Sequence, residues 1–449
     1  MDRARLQHLL ARETAEAERR NPRSKAAYER ADHLFGRVPM TWMNKTAGAF
    51  PRYLGTAHGA RITDIDGHEY IDFCLGDTGA MAGHSPEVVA AAVQRRFAEQ
   101  GGATAMLPTE DAEWVGAELT RRFGLSHWSF SLTATDANRW AIRLARAVTG
   151  RSKILVNSYS YHGSVDESLI VVGPDGRGTS RPGNVGAPCD VTLTSRVAEF
   201  NDLDQLEREL AHGDVAAVLM EPALTNIGIV LPEPGYLAGV RELTRRHDVL
   251  LINDETHTFS AGPGGCTAAW HLEPDMLTIG KAIGGGIPAG AYGLSAELAD
   301  RLLGRNDLDL VDMGGVGGTL AGNALSVAAM RATLEHVLTD EAFERMGKLA
   351  ERFEAGVQQA IDVHGLPWSV SRLGARTEYR FASPAPRTGT ASADAADPEL
   401  EDFLHLYLAN RGILVTPFHN MALMCPATTE TDVDAHTDVF SVALAQLVG

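Results

Sequence analysis

Between residues 109 and 330 the chain alternates two hydrophobic patterns. Short, mostly apolar runs at 127–132, 153–157, 215–221, 249–252 and 276–279 predict strands, the last three buried on both faces. Stretches with apolar positions at helical spacing, at 109–123, 136–148, 203–211 and 236–247, predict helices. Alternation of this kind predicts an α/β fold with a mostly parallel sheet covered by helices.

Outside that region the pattern is mixed. Residues 2–34 predict one or two charged amphipathic helices, and 38–60 read as irregular. Alternation on both sides of Asp66-Gly67 predicts a β-hairpin over 60–75. A small-residue loop, 76–84, leads to Ser85-Pro86-Glu87, which suits a capped helix start. After Asn323 the pattern predicts helices at 324–338 and 340–364, one strand over 366–382, a helix at 398–410, a strand at 412–416 and a last helix from about 430. The segment ASPAPRTGTASADAAD reads as a mobile loop.

Composition narrows the setting. At 449 residues the chain is long enough for two or three packed units. Its 44% hydrophobic and 22% charged residues suit a soluble globular protein. A net charge of −18 argues against non-specific nucleic-acid binding and against docking on anionic lipid. No apolar run approaches the ~20 residues of a membrane span. The charged N-terminus lacks a signal-peptide core, so a cytoplasmic location is expected. Cys74, Cys189, Cys266 and Cys425 are scattered without CxxC spacing. Histidines 84, 162, 257 and 271 lack metal-ligand spacing, and no metal is expected.

Candidate chemistry concentrates between Leu251 and Gly286. The stretch reads LINDETHTF, a Gly/Pro-rich turn, then DMLTIGKAIGGG. Its two apolar runs end near Asp254 and at Lys281. A carboxylate and a lysine at the ends of buried strands point into the crevice where open α/β sheets hold ligands. A lysine shielded from water loses its proton more readily and attacks carbonyls. An aspartate there can hold a cofactor's protonated ring nitrogen. The pair suits a Schiff-base lysine for pyridoxal phosphate, with Asp254 as pyridinium partner. Gly284-Gly285-Gly286 suit a tight turn against a ligand.

Five stretches in register carry a resemblance: Thr133-Ala-Thr-Asp-Ala137, Tyr161-His-Gly163, Asp254-Glu-Thr256, Thr278-Ile-Gly-Lys281 and Gly318-Thr-Leu-Ala-Gly-Asn323. Over roughly 35–445 the chain resembles the class III aminotransferases of the fold-type I pyridoxal-phosphate enzymes. It is nearest to the branch of glutamate-1-semialdehyde aminomutase and the β-amino-acid aminotransferases. The resemblance implies a large domain with a seven-stranded, mostly parallel sheet and a smaller α/β domain from both chain ends. The implied division is 1–75 as N-terminal segment and part of the small domain, 76–325 as the large cofactor domain, and 326–449 as the rest of the small domain.

It also implies roles, each beside a plainer alternative. Lys281 is the Schiff-base lysine and proton carrier. Asp254 is the ring-nitrogen partner, or a strand-end cap or salt bridge. Thr133, Ala134 and Thr135 form a phosphate cradle at a helix start, or Thr133 is only a helix cap. Alanine replaces the relatives' glycine at 134, which narrows the approach to a phosphate. Tyr161, beside His162, stacks on the pyridine or anchors its loop. Glu221 supports the site or is a strand-end charge. Thr256 replaces a valine that packs on the ring. His257 is packed or substrate-facing. Thr319 reaches the neighbouring subunit's cofactor phosphate, implying a homodimer with shared sites, or is an ordinary loop threonine.

The implied reaction moves an amino group from an amine or amino acid to a keto acid or aldehyde. Substrate identity is less legible. β-Amino-acid aminotransferases place arginines where this chain has Asn44 and Phe418, with Lys45 adjacent. Arg376 and Arg380, with Glu378 between them, bind an acceptor acid or line a solvated strand face. Trp42, Phe50, Phe259 and Phe418 give the pocket an apolar side. This favours an amine or weakly acidic donor over a dicarboxylate. An aminomutase, a racemase, decarboxylase or lyase, and a non-catalytic binder of pyridoxal phosphate are alternatives.

Overall fold

The computed structural model describes residues 2–186, 189–311 and 313–449. The chain forms two compact units. One comprises Glu87–Phe343 and Pro386–Asp394, the other Met1–Pro86, Glu344–Ala385 and Ala395–Gly449. Residues 76–86 thus lie with the smaller unit and 326–343 and 386–394 with the larger, the reverse of the division that the resemblance implies.

The larger unit is built on a seven-stranded sheet: β1 (His127–Ser131), β2 (Lys153–Asn157), β3 (Ser195–Ala198), β4 (Val215–Met220), β5 (Leu250–Asp254), β6 (Met276–Gly280) and β7 (Gly290–Leu294). The order is β1-β7-β6-β5-β4-β2-β3, with β7 antiparallel to its neighbours and the other pairs parallel. Strands β4, β5 and β6 are buried along their whole length, as their apolar runs predict. The hydrophobic pattern missed β3 and β7. The first is a short edge strand containing Ser195 and Arg196; the second carries two glycines. A Cβ at Gly293 would sit 2.8 Å from the Trp128 ring, so glycine lets the indole lie across the strand.

Side chains alternate between two cores. Ile154, Val156, Ala217, Leu219 and Ile252 pack on one face, against Ala137, Ala141, Leu144 and Ala145 of helix Ala134–Thr149. Leu155, Val218, Met220 and Leu251 pack on the other, with Leu206 and Leu210 of helix Leu203–Leu210 and Val240 and Leu243 of helix Tyr236–Arg246. The cap residue Thr133 and the left-handed Gly150 close the two ends of Ala134–Thr149.

In the other unit the Asp66-Gly67 hairpin forms between Arg61–Asp64 and Glu69–Asp72. The Asp66 carboxylate accepts the amides of Arg23 (2.7 Å) and Ser24 (3.0 Å), tying helix Pro22–Arg30 to the turn. Ile413–Leu414 pairs parallel with Glu69–Asp72, so both chain ends contribute to this sheet. Three expectations need correction. Residues 38–60 contain a strand, Leu54–His58, antiparallel to Arg61–Asp64. The single strand over 366–382 is a hairpin, Ser369–Leu373 and Arg376–Arg380, turning at Gly374 with φ +58°. The mobile loop contains helix Gly389–Asp394, within the larger unit. Its Thr390 hydroxyl donates to Glu199, and Ser392 to the carbonyl of Ile227. A small-residue segment can pack closely: a Cβ at Gly389 would meet the Ser158 carbonyl. Among the described residues no helix is long and apolar enough to cross a membrane.

Candidate active site

Asp254 ends β5 opposite Thr278 of β6, three residues before Lys281. Its Oδ2 accepts from Asn138 Nδ2 at 2.8 Å and from His162 Nδ1 at 2.9 Å, and its Oδ1 from the Thr256 amide at 3.1 Å. Asn138 is oriented in turn by the Thr278 hydroxyl at 2.6 Å and donates to the His162 carbonyl at 3.2 Å. All these side chains are buried. Burial pushes the Asp254 carboxyl up, but the His162 bond and charge, with Thr256 and Asn138, outweigh it and leave the pKa below the usual carboxylate value.

The turn after Asp254 is held by Glu255, which is fully buried. Its carboxylate accepts the amides of Cys266 and Thr267 and the Thr258 hydroxyl. Burial raises its pKa against those bonds. This fold-back places His257 beside Lys281, with Nε2 2.8 Å from Nζ. Lys281 has φ +51°, a left-handed conformation costly for a side-chain-bearing residue. Gly280 before it packs on the helix start, where a Cβ would lie 2.9 Å from the Ala134 amide nitrogen.

At that start Thr133 caps the helix. Its hydroxyl accepts from the Asp136 amide at 3.1 Å and lies 3.0 Å from the Asp136 carboxylate, so the geometry supports the plainer reading. The Thr135 hydroxyl accepts from the Ser164 amide at 3.3 Å and retains its own proton to donate. A Cβ at Gly163 would fall 2.0 Å from this hydroxyl, at φ +78°. Gly163→Ala should therefore destabilise the protein by about 1–3 kcal/mol through overpacking and backbone strain. Thermal unfolding measures it; unchanged stability would refute this account of the contact.

Tyr161 is 38% exposed. Its amide donates to Glu221 Oε1 at 3.1 Å, while Glu221 Oε2 accepts the Thr225 amide and hydroxyl. Burial pushes the Glu221 carboxyl up, partly opposed by His162, Thr225 and Tyr161. Glu221 thus ties the Tyr161 turn to the end of β4. Thr319 is exposed on a glycine-rich segment of the same unit.

The expected substrate residues Trp42, Asn44, Lys45, Arg376 and Phe418 lie in the other unit. Trp42 meets Phe418 edge-on at 6.1 Å. Asn44 donates to the Gly36 carbonyl at 2.8 Å, and Lys45 is exposed. Arg376 and Arg380 do not line a solvated face: their strand is buried throughout. Arg376 donates to the Thr78 hydroxyl, Glu378 lies 3.5 Å from His419, and Arg380 lies 4.0 Å from Glu401. Phe259 is likewise core, between Phe123 at 5.9 Å and Phe343 at 5.2 Å.

Sequence reasoning missed Asn138 and Thr278 as supports of Asp254, and the contact of His257 with Lys281. Asn138 left a usable signal, as a polar residue on the buried face of an amphipathic helix. Thr278 left another, within the apolar run MLTIG.

Comparison with known proteins finds relatives over nearly the whole chain. The Aminotransferase class-III family model matches residues 42–444. Glutamate-1-semialdehyde 2,1-aminomutase 2 of Geobacillus kaustophilus is 35% identical over 443 residues, covering 95% of this chain and 97% of the relative. The structure of a glutamate-1-semialdehyde-aminomutase variant from Pseudomonas aeruginosa PAO1, in complex with PMP, aligns with a TM-score of 0.96 and 49% identity, over 100% of this chain and 99% of that one. An omega-transaminase from Sphaerobacter thermophilus aligns with a TM-score of 0.85 and 30% identity, over 95% and 98%. The seven-stranded sheet and its flanking helices are the fold-type I architecture that the motifs imply. The chain belongs to the class III aminotransferase family.

Proposed function

We propose that the larger unit binds pyridoxal phosphate and that the protein moves an amino group between an amine-bearing carbon and a carbonyl carbon. The observation that carries this reading is the pairing at adjacent strand ends: Lys281 beside His257, and a buried Asp254 biased toward its charged form by His162 and Asn138. The residues fit the cofactor. Asp254 Oδ1 accepts the Thr256 amide at 3.1 Å and, as a carboxylate oxygen, has a further lone pair to offer a donor. The Thr256 hydroxyl is buried beside Asp254. Thr135 and the first amides of helix Ala134–Thr149 suit a phosphate dianion.

When bound, the cofactor supplies an aldehyde that captures amines and a ring that accepts the electrons left by a departing proton. Lys281 takes that proton from the substrate carbon and returns it at the neighbouring reacting centre. His257 Nε2 accepts a hydrogen bond from the ammonium that Lys281 becomes, and so fixes its position. Asp254 keeps the ring nitrogen protonated, with Asn138 and His162 fixing its carboxylate. Tyr161 would cover one side of the ring when the cofactor is bound. His257→Ala should lower kcat by roughly 10-fold, the worth of one hydrogen bond to a charged group. Steady-state kinetics at neutral pH tests this, and an unchanged kcat would remove His257 from the mechanism.

The names of the relatives at 35% and 49% identity favour the intramolecular version, in which the amino group returns to another carbon of the same molecule. Likeness to an omega-transaminase supports transfer between two molecules as the second reading. Both versions suit a cytoplasmic homodimer. Exposed Met106, Leu107, Val311, Met313 and Leu320 accompany Thr319 in the larger unit and give a second copy an apolar surface.

Purified protein should be yellow, and borohydride should fix the cofactor covalently on Lys281. A colourless protein that takes up no pyridoxal phosphate would end the proposal. Conversion of glutamate-1-semialdehyde without an added acceptor identifies the intramolecular version. Turnover of amines only with pyruvate or 2-oxoglutarate identifies the intermolecular one.

A further inference from the structure

Asn44 and Phe418 carry no charge, and Arg376 is fully buried with a bond to Thr78. The larger unit offers a different cation. Arg181 follows the hairpin Ile170–Val172 and Gly178–Ser180, and its amide donates to the Leu169 carbonyl at 2.9 Å, so its backbone is fixed. Its Nη1 donates to the Ser160 carbonyl at 3.1 Å, next to Tyr161. Its guanidinium carbon lies 5.6 Å from the centre of the Tyr159 ring. Tyr159 itself has φ +63°, a strained conformation in the turn that presents Tyr161 and His162.

Among the described residues Arg181 has no carboxylate within ion-pair distance, unlike Arg196, Arg241 and Arg246 of the same unit. Burial lowers its pKa, opposed chiefly by the charge of Glu221 and then by Tyr159 and Tyr161. The Glu221 carboxylate already serves the Tyr161 amide and Thr225. Arg181 is therefore a half-buried fork of five donors with one donor committed to protein, beside the turn that carries Tyr161. A planar carboxylate matches two of the remaining donors.

We infer that Arg181 is the substrate-carboxylate anchor of this active site, and that the substrates are amino compounds bearing a carboxylate rather than simple amines. The inference rests on the proposed cofactor chemistry and adds the substrate class to it.

Two reagents test it whatever the natural substrate is. Aminooxyacetate and methoxyamine would both displace Lys281 from the cofactor's aldehyde carbon through the same aminooxy nitrogen, forming an oxime and freeing the lysine amine, but only aminooxyacetate carries a carboxylate. Stopped-flow loss of the cofactor absorbance in the holoenzyme gives both second-order rate constants. The wild type should favour aminooxyacetate. Arg181→Gln should lose about 10- to 100-fold of that preference, with methoxyamine capture unchanged. Arg181→Lys, which keeps a point charge, should retain part of it. An equal preference ratio in wild type and Arg181→Gln would overturn the anchor, as would an equal fall in both rates, which would assign Arg181 to bracing the turn. Failure of both reagents to alter the wild-type spectrum would instead refute the cofactor reading.

Discussion

Lys281→Ala should reduce turnover by about 10³-fold or more while the protein still folds. The size follows from what the side chain does. Positioned general acid–base catalysis is worth roughly 10²–10⁴-fold, and the proposed mechanism gives Lys281 that task at both reacting carbons. His257 Nε2 lies 2.8 Å from the lysine nitrogen, and in the proposed mechanism it supports that nitrogen rather than replacing it. The cost in stability should be small. Lys281 already occupies a left-handed backbone conformation at φ +51°, and alanine bears the same strain as lysine. Small primary amines added in solution should restore part of the activity, because they supply the missing base without its tether. Turnover, amine rescue and thermal unfolding measured on the same preparation separate the possibilities. Full activity in the variant would remove Lys281 from the chemistry, and loss of folding without any amine rescue would show a structural role.

The strand ends were legible because burial leaves a coarse mark. An apolar run closing on Asp or Lys is unusual, and both runs did so within one stretch. What surrounds those ends was not legible, because it depends on chain reversal. His257 reaches Lys281 only because Glu255 gathers the 255–267 turn around its buried carboxylate. Arg181 approaches the Tyr161 turn through a short hairpin that no periodicity announced. Arg376, Glu378 and Arg380 were misread for a different reason. Alternating charge along a strand looks like a solvated face. Here Thr377 and Tyr379 occupy one face, with Tyr379 against Phe440, and the charged face is buried with Thr78, His419 and Glu401. Glycine had a double meaning as well. In β7 it looked like a strand breaker, although Gly293 is required there by the Trp128 ring.

Asp254→Asn should lower turnover by about 10²–10³-fold and destabilise the fold by about 1–3 kcal/mol at neutral pH. Asp254 gathers three donors: Asn138, His162 and the Thr256 amide. A carboxamide keeps one oxygen and turns an NH₂ toward at least one of those donors, leaving a buried donor unmatched. It also removes the negative charge that, in the proposed mechanism, would hold a ring-nitrogen proton, so activity should fall further than stability implies. The pH dependence has a definite sign. The folded-state pKa of Asp254 lies below its ordinary value, so its contribution to stability is present above the unfolded carboxyl pKa, about 3.9. It is lost as pH falls through the lower folded value. The stability difference between wild type and Asp254→Asn should therefore be constant from neutral pH down to roughly pH 4 and shrink below it. Chemical unfolding across that range tests the assignment. A gap that widens in acid would mean that Asp254 is protonated in the folded protein, and the charge assigned to it at the end of β5 would be wrong.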